Sequence, residues 1–73
     1  MYQLSGRAIE MLKNDRNLRM NVAMRMGVGE QAIKASINAK YKGRSIAVHH
    51  DALNELIDKT GLLMSEIREV AND

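Results

Sequence analysis

Glu30, Gln31, Lys34 and Asn38 are four hydrogen-bonding side chains within nine consecutive residues. On an α-helix, at about 100° per residue, they fall on one face together with the small Ala35. Ala32, Ile33, Ser36 and Ile37 fall on the opposite face, apolar but for one serine. A bundle this small leaves little room for a catalytic pocket around a carboxylate, an amide and an ammonium on an open helical face. Such side chains recognise other polar groups. A Gln can bond the N6 and N7 of adenine together, a Lys can reach the acceptors of guanine or a phosphate, and a carboxylate can accept from cytosine N4. The chemistry on offer is therefore the reading of base edges. The alternative is a solvated surface helix whose Glu30 only complements the macrodipole at a helix start.

Such a face has to be aimed by its neighbours. Leu4, Ala8 and Leu12, with Ile9 beside them, predict a first helix over about 5–14, capped by Ser5. Leu18, Val22, Ala23 and Met26 form a second helical stripe, with Asn17 as its cap and Gly27 as its left-handed close. The third helix starts after Gly29 and runs to about Ala39, and Lys40–Ser45 reads as a basic loop turning at Gly43. A fourth helix, about 48–59, buries Val48, Ala52, Leu53, Leu56 and Ile57, with Asp51 and Lys59 placed to suit its dipole. A fifth, about 63–71, buries Leu63, Ile67 and Val70. Residues 1–73 read as one all-α domain with no linker and no repeat.

Charge is unevenly spread. Residues 1–44 carry nine Lys/Arg against three Asp/Glu, a balance of +6, while residues 45–73 carry two against six, a balance of −4. A basic pole suits a polyanion, and an acidic far side keeps the rest of the surface away from it. Chance clustering on a solvated surface is the competing reading. There is no Cys, so neither a disulfide framework nor a thiolate metal site is available. His49 and His50 are adjacent and would point about 100° apart on a helix, so they are read as surface or helix-start residues rather than ligands. No P-loop or other phosphate-cradling motif occurs, and no enzyme, cofactor, metal or small-molecule substrate is expected. The N-terminus lacks the apolar run of a secretory signal, and no segment is long enough to span a membrane. The expected location is the cytosol.

A helix, a glycine turn and a second helix make the helix-turn-helix pattern, here over about residues 18–39. Ala23 is small where the next helix crosses, Gly27 tolerates positive φ, Val28 is expected to plug the turn into the core, and Ile33 anchors the third helix from beneath. In "VAMRMGVGEQAIKASIN" the chain resembles the helix-turn-helix regulators of the Cro and phage lambda repressor type. The shared frame is Val22-Ala23, Met26-Gly27, Gly29, Ala35 and Asn38, and the likeness continues in "ALNELIDKTGLLMSEI". It covers roughly residues 8–70.

The resemblance implies a compact five-helix, lambda-repressor-like DNA-binding domain acting as a small phage or prophage transcription regulator. Helix 30–39 would enter the major groove of double-stranded DNA, with Glu30, Gln31 and Lys34 reading bases. Arg19, Asn38, Lys40, Lys42 and Arg44 would meet phosphates. A homodimer on a two-fold operator is expected, joined through the fifth helix by Leu62 and an exposed edge of Val70. The chain departs from the family at Leu18 and Leu63, where helix caps are usually Ser or Thr, and at Arg19, where a supporting Gln is common. The alternative is a protein-binding module or anti-repressor on the same fold without DNA binding. The acid at Glu30 and the modest net charge of +2 favour it.

Overall fold

The computed structural model describes residues 1–71. The elements run β1 (Tyr2–Leu4), α1 (Gly6–Asn14), α2 (Arg16–Met26), α3 (Glu30–Ile37), α4 (Arg44–Ala47), α5 (His50–Thr60), α6 (Met64–Ile67) and β2 (Arg68–Val70). The chain is mostly helical, with one small two-stranded antiparallel sheet in which Tyr2 pairs with Val70, Gln3 with Glu69 and Leu4 with Arg68. No described helix is long and apolar enough to cross a membrane.

Local chemistry explains most boundaries. Ser5 caps α1 by accepting from the Ala8 N–H at 3.2 Å. The cap of α2 is Asp15 rather than Asn17: its Oδ1 accepts from the Leu18 N–H at 3.0 Å, so the helix begins at Arg16. A carboxylate at the cap both satisfies an orphan donor and complements the dipole, and so it wins over an amide two residues later. The fourth predicted helix starts two residues later than expected, and the end of the predicted basic loop is itself helical. Residues 44–47 form the single turn α4, which buries Ile46 and Ala47, and α5 starts at His50. His49 is the cap, its Nδ1 accepting from the Ala52 N–H at 3.2 Å. Val48, expected in the core, lies between the two helices and is exposed.

The fifth predicted helix stops after one turn. Residues 68–70 leave it as β2 and pair with β1, so Val70 and Leu63 are exposed while Leu62 is buried. Leu62, expected at the protomer contact, is therefore buried at 7% exposure, whereas Val70, expected there with it, keeps an exposed edge.

One core cluster joins every helix. Leu12, Val22, Ile33, Ile37, Ile46, Leu53, Leu56 and Ile67 are its largest fully buried members, with Leu4 of β1 beneath the loop before α4. The most extensive helix pair is α2 on α5. Their contact includes the buried Glu55 carboxylate, which accepts from Arg25 Nε at 3.0 Å. The molecule measures 30 × 24 × 21 Å.

Candidate nucleic-acid interface

The angle between α2 and α3 is set by a short turn. Gly27 sits at φ 69° and ψ 32°. Its N–H donates to Met24 O at 3.1 Å, and the Val28 N–H reaches back to Ala23 O at 2.9 Å. These two bonds close α2 in the Schellman manner, which needs a left-handed residue at the glycine position. The bond from Val28 is made by its backbone, and its side chain is exposed rather than plugged into the core. Met26 is the residue near the turn that packs against the core. Ile33 anchors α3 from beneath at 1% exposure, and Ala23 at 4% allows the close crossing.

The opposite face of α3 is open at Gln31, Ala35 and Asn38, and Lys34 is half-exposed. Ala32, expected to be buried, is exposed at the edge of that face. Glu30 is not open. Its side chain is only 21% exposed and sits among three cations: Arg16 Nε at 3.4 Å, Arg19 Nε at 3.8 Å and Lys34 Nζ at 3.6 Å. Oε2 is buried and accepts no hydrogen bond, so the carboxylate is held by charge rather than by an aligned donor.

Arg19 is turned inward, with its side chain 12% exposed. Its Nη1 donates to Leu12 O at 2.8 Å and Lys13 O at 2.7 Å. Those carbonyls are orphaned at the end of α1, and a guanidinium can serve two of them at once. Arg19 therefore stitches the α1–α2 corner and is not displayed toward a phosphate. Asn38 closes α3, its Nδ2 donating to Lys34 O at 2.9 Å.

The basic loop is fastened on both sides. Its Lys42 carbonyl accepts from the Leu4 N–H at 2.8 Å, and the Gly43 N–H donates to Ser36 O at 2.8 Å. Ser36 and Ser45 hydroxyls lie 2.9 Å apart, joining α3 to α4. Lys40, Lys42 and Arg44 stay exposed, with the Lys40 ammonium 5.4 Å from the Tyr41 ring centre. Between α3 and α4 runs a shallow groove floored by Ala32, Ala35 and Ser36 and flanked by Lys40, Tyr41 and Arg44.

Two cations beside this surface were not among those expected from the sequence. Lys13, in the last turn of α1, shares a depression with Lys34, Ile37 and Asn38. Arg16, at the start of α2, reaches Glu30. No periodicity could place either one, because Lys13 depends on how α1 crosses α3 and Arg16 on how α2 crosses α3. Among the described residues no group of His, Cys, Asp or Glu is arranged to hold a metal. On α2, Met20 and Met24 lie one turn apart and are exposed, and Val28 in the turn that follows is exposed as well. No family model matches the chain, and neither does a curated protein or a solved structure.

Proposed function

We propose that the protein is a sequence-specific double-stranded DNA-binding regulator of the Cro and phage lambda repressor type, with α3 in the major groove. The observation that carries this reading is the open polar face of α3, buried beneath at Ile33 and Ile37 and flanked by the fastened cationic loop. On this reading α1, α2, α3, α5 and α6 correspond to the five helices of that family, with α4 and the β1–β2 pair as additions. Gln31 and Lys34 are the base readers on this reading, since N-terminal residues of a recognition helix meet base edges. Lys40, Lys42 and Arg44 take phosphates, joined by Lys13 and Arg16. A homodimer on a two-fold operator supplies the second set of contacts.

Fluorescence titration with genomic DNA fragments at two salt concentrations tests the proposal. Phosphate contacts release counterions, so binding should weaken steeply with salt. It should also be lost in Lys34→Ala/Lys42→Ala. Absence of binding even at low salt refutes it. The exposed Met20 and Met24, one turn apart on α2, favour a second reading, a protein-binding module on the same fold. That reading predicts no DNA affinity and full stability without it.

A further inference from the structure

Glu30 presents a problem for any DNA-binding use of α3, because a carboxylate at the front of a reading helix repels phosphate. The ion pairs around it offer a resolution. Glu30 is not aimed outward: Oε1 faces Lys34 Nζ one turn along α3, and Oε2 lies between Arg16 Nε and Arg19 Nε of α2. Of these three cations Arg19 is committed to the end of α1 by its two carbonyl acceptors. Arg16 is not: its side chain is 73% exposed, and that of Lys34 is 45% exposed. Both can leave the carboxylate by rotating side-chain torsions, with no movement of backbone. Arg19 would remain as the counter-charge when they do.

We propose that Glu30 is a positioning residue that holds Lys34 and Arg16 against the start of α3 until DNA phosphates or bases displace it, rather than itself reading a base. The inference rests on the DNA-binding reading above. It assigns a cost to every contact Lys34 makes, since each must break an ion pair that already exists. That cost weakens loose binding along any duplex. A complete set of contacts repays it only when α3 is fully seated.

A random-sequence duplex titrated by fluorescence anisotropy between about 50 and 200 mM salt separates the roles. Glu30→Gln keeps the shape of the side chain and removes its charge, and circular dichroism checks that the variant folds. The variant should bind the random duplex more tightly than the wild type. Its plot of log K against log salt should steepen by about 0.9 for each cation set free. Lys34→Met should then cost about 1.4- to 2.3-fold more affinity in the Glu30→Gln background than in the wild type, the size expected for an ion pair one helical turn long.

An equal Lys34→Met penalty in both backgrounds overturns the proposal while leaving DNA binding intact. So does a Glu30→Gln variant that binds the random duplex no better but loses preference at a single base position, which would make Glu30 a base reader. If neither wild type nor Glu30→Gln binds DNA at low salt, the DNA-binding reading fails and takes this inference with it.

Discussion

Gly27 and Gly43 share a left-handed backbone, at φ 69° and φ 67°, yet they differ in what surrounds them. A methyl group at Gly27 would meet open space, whereas one at Gly43 would run into the Leu4 side chain. Gly27→Ala should therefore cost only the backbone term, about 1–2 kcal/mol. Gly43→Ala should add overpacking worth about 1–3 kcal/mol more. Urea unfolding at constant slope should place the midpoints in the order wild type, Gly27→Ala, Gly43→Ala. Coincident midpoints for the two variants would mean that Leu4 moves aside freely. Gly27 was legible in the sequence because its role is local: it ends an apolar stripe and precedes a restart. Gly43 read only as a loop turn, because Leu4, which crowds it, is remote in the chain. The same limit hid the inward turn of Arg19. Its charge suggested a phosphate, and only the packing of α1 against α2 supplies the two carbonyls that it serves instead.

At the scale of the element, helix ends decided where the sequence reading succeeded and failed. The cap of α1 follows from Ser5, and that of α3 from the glycine turn, and both match. The start of α2 shifted because Asp15 outcompetes Asn17. The end of α6 could not be read, since Met64–Val70 has a helical apolar spacing and leaves the helix only because β1 offers a partner. α6 also begins with half of a capping box. The Leu63 N–H donates to Glu66 Oε1 at 3.0 Å, but the leucine side chain has no oxygen to accept from the Glu66 N–H, which goes to the Leu63 backbone carbonyl at 2.9 Å instead. Leu63 is 67% exposed, so little packing would be lost by replacing it. Leu63→Thr should complete the box and stabilise the fold by about 0.5–1 kcal/mol. In a domain of this size that is a rise in Tm of roughly 2–8 °C. A fall in Tm would show that Leu63 packs usefully where it lies.

At the scale of the whole molecule, the two ends of the described chain clasp each other and, through that clasp, support the candidate interface. Strand β1 bonds to β2 on one side, while on the other the Leu4 N–H holds the Lys42 carbonyl of the basic loop. The Arg68 guanidinium lies 4.0 Å from the Tyr2 ring centre and donates to Ala47 O at 3.1 Å, tying the sheet to α4. Three-residue strands carry too short an alternation to be told from coil, and so the clasp was illegible although the core residues of α1–α3 and α5 were not. The energetic question is whether strand pairing or core filling makes the clasp matter. At roughly 0.1 kcal/mol per residue, a chain of this length has about 7 kcal/mol of total stability. Leu4 is 2% exposed and contributes to the core, whereas Val70, on the partner strand, is 64% exposed. Leu4→Ala should cost about 2–5 kcal/mol, and Val70→Ala no more than about 0.5 kcal/mol as a surface change. Calorimetry should then find Tm lowered by at least about 8 °C for Leu4→Ala and by less than about 4 °C for Val70→Ala. Comparable losses for the two would place the stabilisation in the strand pairing itself. The Leu4 side chain would then be a passenger under the loop that carries Lys40, Lys42 and Arg44.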